Sequence, residues 1–207
     1  IRTCDEARMA AINFSPDQSP RTLIEAIEGE LFALAERGTS GRAVTFAEAL
    51  DAAMRDVDAA FRSGSGIRGI STGFSDLDRA LGGLAPGALY ILAGRPSMGK
   101  TALATNIAWN VASRGSPVIF FSLEMPDREL ALRVAAAESG IPSDRARCGA
   151  IESAEFSDMM RAKQRISARP LKIDDRGGIT IAQLAARARR HKRKHGTALV
   201  VVDYLQL

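Results

Sequence analysis

The residues that could do chemistry begin with a glycine-rich segment that has the pattern of a phosphate-binding loop. Gly94-Arg95-Pro96-Ser97-Met98-Gly99-Lys100-Thr101 fits G-x-x-x-x-G-K-[ST], and we call residues 94–101 the P-loop. The glycines let backbone N–H groups approach phosphate oxygens, and the helix expected after the loop points its positive end at the same anion. Lys100 is expected to reach the β- and γ-phosphates, and the Thr101 hydroxyl to ligate Mg²⁺.

A second candidate is the acid that ends an apolar run near the end of the chain. Leu199-Val200-Val201-Val202-Asp203 combines β-branched residues, typical of a buried strand, with a terminal carboxylate. At the carboxyl edge of a parallel sheet, that carboxylate would emerge beside the P-loop. We therefore expect Asp203 to be the acidic Mg²⁺ ligand of a site that binds ATP.

Glu124 is the third candidate, because it follows the apolar segment 118–122 directly. A carboxylate at this position could orient and polarise the water that attacks a γ-phosphate. The alternative is an exposed acid in an ordinary strand–helix turn, and the residue pattern alone leaves both interpretations open.

The elements that must position these residues alternate between strands and helices. We predict strands at 88–93, 118–122, 170–174 and 198–203, and helices at 101–113, 126–138, 153–167 and 180–194. Pro126 is expected to start the second of these helices, and Thr180 with Gln183 to form a capping box at the last. This alternation predicts an α/β fold, a P-loop core with a mostly parallel sheet.

Two amphipathic helices are predicted before this core, over about 20–37 and 46–61. Thr45 and Glu48 suit a capping box for the second helix, and one face carries an apolar stripe: Phe46, Leu50, Met54, Val57 and Phe61. The stripe could pack on its own domain or dock in a groove of a neighbouring subunit, and the pattern does not choose between them.

Composition narrows the class of protein further. The formal charge of +4, from 28 basic and 24 acidic residues, is compatible with nucleic acid binding without indicating it. Two cysteines far apart in sequence fit a reducing cytosol, and no apolar run is long enough to span a bilayer. The basic run 187–195 is interpreted as a solvated helix face, with contact to DNA phosphates as the alternative.

Five segments together resemble the DnaB family of replicative DNA helicases. They are residues 70–78, 94–101, 121–125, 173–175 and 202–207, and they stand in the family's order. Most of the resemblance rests on two motifs, Arg95-Pro96-Ser97-Met98-Gly99-Lys100-Thr101 and Ser122-Leu123-Glu124-Met125. Arg176-Gly177 departs from the Thr-Pro usual in the family after Asp174-Asp175, a change that we expect to be harmless.

The resemblance implies a RecA-like core and a homo-hexameric ring with ATP between subunits and single-stranded DNA in its channel. It favours Glu124 as the catalytic base, Asp203 as the Mg²⁺ acid and the docking interpretation of the 46–61 helix. It divides the chain into the end of a helical N-terminal domain (1–38), a linker with its helix (39–66) and an ATPase domain (67–207). Primase and a helicase loader would be further partners.

The function expected from this resemblance is a cytoplasmic replicative helicase that couples ATP hydrolysis to translocation on single-stranded DNA and unwinds the replication fork. Two alternatives remain: a different RecA-like ATPase, of recombination or clock type, and an assembly module that binds nucleotide without unwinding. We expect the 207-residue chain to be a piece of a longer protein, and a poor ATPase by itself.

Overall fold

The computed structural model describes residues 44–63, 67–95 and 98–204. The helix predicted over 20–37 and the boundary at residue 38 lie outside these ranges, as do Pro96 and Ser97 of the P-loop. The chain divides into two compact units, 1–53 and 54–207, and the sheet with its surrounding helices belongs to the second.

Seven helices and three strands are formed by the described residues. The helices are α1 (Phe46–Ser63), α2 (Ser75–Leu81), α3 (Lys100–Ser113), α4 (Asp127–Ser139), α5 (Ser143–Arg147), α6 (Ser153–Ser167) and α7 (Ile181–His195). The strands are β1 (Val118–Ser122), β2 (Leu171–Asp174) and β3 (Leu199–Asp203). The predicted helices that fall within the described ranges and three of the four predicted strands are confirmed to within two residues, whereas the short helices α2 and α5 were not predicted.

Local sequence explains where several helices begin. Thr45 and Glu48 exchange the bonds of a capping box before α1, with distances of 2.8 Å and 3.3 Å. Thr180 and Gln183 do the same before α7, as predicted. Pro126 is the N-cap of α4 rather than its first helical residue, and it lacks the N–H that an interior position would need.

The sheet is parallel and has the order β2–β1–β3. Val118 and Phe120 of β1 pack with Ala108 and Val111 of α3, and Leu130 of α4 joins this core cluster. All five residues of β1 are buried, which agrees with its central place in the sheet. Because the strands are parallel, their carboxyl ends meet at one edge, where Ser122 of β1 is in register with Asp203 of β3.

The strand predicted at 88–93 is wrong for this structure. The segment lies beside β3, since Leu89, Tyr90 and Leu92 line one cavity together with residues of that strand. However, the described residues include no ladder pairing between this segment and β3, and Leu89 and Ile91 remain 86% and 83% exposed. A strand requires hydrogen bonds from a neighbour as well as an apolar pattern, and only the pattern is present here.

The Asp78 side chain of α2 holds Ser71 and Thr72, in the segment before the P-loop, by hydrogen bonds. Its carboxylate accepts hydrogen bonds from the Ser71 hydroxyl (2.6 Å), the Thr72 N–H (2.7 Å) and the Thr72 hydroxyl (2.8 Å). Burial raises the pKa of Asp78, but these hydrogen bonds outweigh it and hold the pKa below its usual range. The same segment is bound to α3, because the Asn110 amide donates to the Thr72 carbonyl and the Arg114 guanidinium to Ser71.

We predict that Asp78→Asn lowers the free energy of unfolding by about 2 kcal/mol, because an amide cannot accept three hydrogen bonds from the same donors and its NH₂ faces them. The melting temperature, followed by circular dichroism, should fall by several degrees. Asp76→Asn on the same helix is the matched control, since the Asp76 side chain is 91% exposed. Equal losses from the two variants would contradict this role of Asp78.

His191 of α7 is buried against the loop that leads to β3. Its Nδ1 lies 2.5 Å from the Thr197 hydroxyl, and Lys192 Nζ donates to the Thr197 carbonyl at 2.8 Å. Burial lowers the pKa of His191 from 6.5, and the nearby positive charges of His195 and Lys172 lower it further. The folded protein therefore binds a proton at this imidazole less readily than an unfolded chain does.

We predict that this histidine makes stability depend on pH below about pH 6.5. A lowered folded-state pKa means that the unfolded state binds the proton first, so the contribution is complete above pH 6.5 and is lost as the pH falls below it. The melting temperature should fall over this range, and less steeply in His191→Gln. The carboxylates with lowered pKa, such as those of Asp78 and Glu155, lose their contribution only below about pH 4.5 and do not interfere. Parallel pH profiles for parent and variant would rule this account out.

Candidate active site

The P-loop ends in a conformation that leaves the start of α3 open to an anion. Gly99, the N-cap, has φ 87° in the left-handed region that favours glycine, and no side chain caps the helix. The first intrahelical bond runs from the Leu103 N–H to the Gly99 carbonyl at 2.9 Å. The N–H groups of the first turn and the positive end of the helix dipole are therefore suited to bind phosphate.

Lys100, Thr101 and Asp203 are brought together at the carboxyl edge of the sheet. Lys100 Nζ lies 3.1 Å from Asp203 Oδ1, and the Thr101 hydroxyl donates to Asp203 Oδ2 at 2.6 Å. The Asp203 side chain is only 4% exposed and that of Lys100 26%, so this ion pair is largely shielded from water. Residues 102 positions apart in sequence thus form one polar cluster under the P-loop.

Tyr204 is part of this cluster and was missed by the sequence analysis. Its ring lies under Lys100 Nζ, 3.9 Å from the ring centroid, in a cation–π contact. The signal available in sequence was the position directly after Asp203, where an aromatic residue must lie near whatever that carboxylate binds.

Glu124 follows β1 at the same edge as Asp203. The turn that carries it is bound to β3, because the Leu123 N–H donates to the Asp203 carbonyl at 2.7 Å. The Ser122 hydroxyl closes the turn by donating to the Met125 carbonyl at 2.6 Å. The Glu124 side chain is exposed. It directly follows Leu123, whose N–H binds the carbonyl of Asp203, the acid under the P-loop.

The remaining P-loop residues are placed only in part. Gly94 and Arg95 precede the gap in the described residues, and Met98 after it is exposed and donates its N–H to the Arg95 carbonyl at 3.2 Å. Met98 therefore leaves its apolar side chain uncovered at the site. The described residues contain no cluster of three or more His, Cys, Asp or Glu side chains suited to a metal.

The basic face of α7 also makes specific contacts. Arg187 binds Asp174 of β2 at 3.1 Å, and Arg176 binds the same carboxylate at 2.7 Å. The hydrogen bond from Arg176, with the charges of Arg176 and Arg187, keeps the pKa of Asp174 below its usual range despite burial.

Within the part of the chain that the structure describes, no helix has the length and apolar character to cross a membrane.

A parallel sheet with a glycine-rich loop, a following helix and an acid at the neighbouring strand end defines a P-loop nucleotide-binding domain of RecA-like architecture. The family model described as "DnaB-like helicase C terminal domain" matches residues 69–207. The chain belongs to this family of helicase ATPase domains.

Curated relatives agree with this assignment. Proteins named "Replicative DNA helicase DnaB" from Rickettsia bellii and from Synechocystis are 36% and 37% identical over 100% and 95% of this chain. The matches cover 44% and 23% of those relatives, so the chain spans less than half of their length.

Solved structures agree as well. One of them, described as an ATPase domain, has a TM-score of 0.72 and 28% identity, and the match covers 79% of this chain and 58% of the other. "The Structure Of A DnaB-Like Replicative Helicase And Its Interactions With Primase" has a TM-score of 0.69 and 26% identity, and the match covers 98% of this chain and 47% of the other.

Proposed function

We propose that the complete protein is a replicative DNA helicase that hydrolyses ATP to move along single-stranded DNA and to unwind duplex DNA at the replication fork. The observation that carries the proposal is the cluster of Lys100, Thr101 and Asp203, in a chain that belongs to the DnaB-like helicase family. A cytoplasmic location, primase and a helicase loader as partners are parts of the same proposal.

The residues present fit a Mg²⁺ ion bound together with the nucleotide. Thr101 and Asp203 supply a hydroxyl and a carboxylate, the hard oxygen donors that Mg²⁺ prefers, and their oxygens lie 2.6 Å apart. Mg²⁺ commonly takes few protein ligands and fills its shell with water and phosphate oxygens, which agrees with one acid at this site. When bound, the ion would neutralise charge on the β- and γ-phosphates.

The side chains of this site have separate parts in hydrolysis. The first turn of α3 and Lys100 hold the phosphates and stabilise the negative charge that develops as the bond between the γ-phosphorus and the β–γ bridging oxygen breaks. Glu124 orients a water molecule and accepts its proton while the water oxygen attacks the γ-phosphorus, releasing ADP and phosphate. The exposure of Glu124 leaves it accessible to that water.

We extend the proposal to a homo-hexamer in which α1 docks on the neighbouring subunit, with domains at 1–38, 39–66 and 67–207. The support is the apolar stripe of α1, because Phe46, Leu50, Met54, Val57 and Phe61 are all exposed. Five large apolar side chains on one helix face indicate an interaction surface.

We predict that Met54→Gln with Val57→Asn shifts the complete gene product from hexamers to smaller species, because both changes remove apolar area from the docking face. Sedimentation velocity measures the distribution, and Arg55→Gln is the matched control on the same helix. If the hexamer persists and only the melting temperature falls, the stripe packs within its own subunit instead.

The experiment that tests the proposed function is strand separation by the complete gene product on a forked DNA with a free 5′ tail, with ATP and Mg²⁺. Unwinding that requires ATP supports the helicase. Hydrolysis of ATP without separation of the fork would favour another RecA-like ATPase, and nucleotide binding without hydrolysis would favour an assembly module.

A further inference from the structure

A cavity of about 560 Å³ lies between β2 and α7. Lys172 of β2 lines it together with Arg190, His191, Lys194 and His195 of α7. Neither the P-loop nor Asp203 contributes to its walls, so it is separate from the nucleotide site described above.

The walls carry an excess of positive charge. Five cationic side chains line the cavity against two carboxylates, Asp174 and Asp175. Asp174 already binds Arg176 and Arg187, and Asp175 accepts a hydrogen bond from the Asp127 N–H at 3.2 Å. Asp174 is therefore paired with two arginines of the same lining, and among the described residues no ion pair joins either acid to Lys172 or Lys194.

The lysines of the cavity have weak partners or none. Lys172 Nζ lies 3.3 Å from His195 Nε2, a ring nitrogen rather than a carboxylate, so this contact does not compensate the ammonium charge. Within the described ranges, Lys194 forms no ion pair. Positive charges that line one cavity without carboxylate partners favour the binding of an anion between them.

His191 is an independent sign of a missing ligand. The residue is 8% exposed and lines the cavity, and its Nε2 is buried without a hydrogen-bond partner in the described structure. Its other nitrogen is occupied by the Thr197 hydroxyl. A buried polar atom left unpaired costs about 1–3 kcal/mol, and an oxyanion in a cavity lined by His191 would supply the partner that this side chain lacks.

We propose that this cavity binds a small molecule through a diphosphate or triphosphate group. Ammonium, guanidinium and imidazole donors that converge from a strand and a helix suit several phosphate oxygens at once. The volume lies within the usual range for small-ligand sites. A single-stranded nucleic acid instead requires a groove that tracks its backbone and aromatic rings that stack on bases, and the cavity offers only two imidazoles.

The experiment is isothermal titration calorimetry of inorganic pyrophosphate into the complete gene product. It uses a Lys100→Ala background without Mg²⁺ to weaken binding at the P-loop, and the cavity variants report whether the pyrophosphate that still binds is held by the cavity. Binding should persist in this background and weaken about 5- to 10-fold in Lys194→Gln and in Lys172→Gln, as expected for the loss of one charge-assisted contact. Arg193→Gln, which removes a neighbouring charge of α7 outside the cavity, should change the affinity less than about 2-fold.

Three outcomes would overturn the proposal. The first is no pyrophosphate binding in the Lys100→Ala background, with circular dichroism showing a folded protein. The second is an equal effect of Arg193→Gln and Lys194→Gln, which would mean a diffuse field rather than a site. The third is that Lys194→Gln weakens binding of a single-stranded oligonucleotide and leaves pyrophosphate unchanged, which would assign the cavity to DNA.

Discussion

Replacement of Lys100 by alanine is expected to reduce ATP turnover at least about 100-fold, the loss typical when a charge-stabilising donor is removed from a reaction site. The ammonium group is well placed for this role, because it lies 3.1 Å from Asp203 beneath the P-loop and only 26% of the side chain is exposed. Nucleotide affinity should fall as well, since Lys100 is the cation that the P-loop directs to the phosphates.

The measurement is steady-state release of phosphate by the complete gene product, with binding of a fluorescent ATP analogue measured separately. Lys163→Ala is the control, because Lys163 is an exposed lysine of α6 outside the site. Lys100→Ala also leaves the buried Asp203 carboxylate with the Thr101 hydroxyl alone, so a lower melting temperature is expected. If turnover by Lys100→Ala stays within about 3-fold of the parent, Lys100 does not take part in the reaction.

Replacement of Glu124 by glutamine is expected to reduce turnover about 100- to 10,000-fold while nucleotide binding stays within a few-fold of the parent. An amide of the same shape still forms hydrogen bonds but cannot accept the proton of the attacking water, and general-base catalysis typically contributes this factor. Binding is preserved because the phosphates are held by the P-loop and α3, not by Glu124.

The readouts are single-turnover hydrolysis and equilibrium binding of the ATP analogue, with fork unwinding as a third measurement. Glu129→Gln is the matched control, because Glu129 lies on nearby α4 and its described ion pair, with Arg133 at 3.2 Å, is at the surface. Equal losses of turnover in both variants, or full turnover by Glu124→Gln, would mean that Glu124 is an exposed turn residue without a catalytic role.

Much of the fold and of the candidate site could be predicted from the sequence. The pattern of the P-loop, the β-branched run before Asp203 and the apolar segment before Glu124 are local features. Once the strands before Glu124 and Asp203 are inferred to be parallel, their carboxyl ends must share an edge, which places Asp203 beside the turn that carries Glu124. Helix ends were predictable for the same reason, since capping boxes such as Thr180 with Gln183 form within four residues.

Only the tertiary structure decided the features that depend on distant neighbours. Residues 88–93 have a strand pattern without the pairing that a strand needs. Tyr204 contacts Lys100 because the end of β3 lies beside the start of α3. The cationic cavity between β2 and α7 is likewise absent from any local pattern, because Lys172 and Lys194 become neighbours only when the helix packs on the sheet. Hydrogen-bond pairing and packing join residues remote in sequence, whereas propensity and capping act within one or two turns of chain.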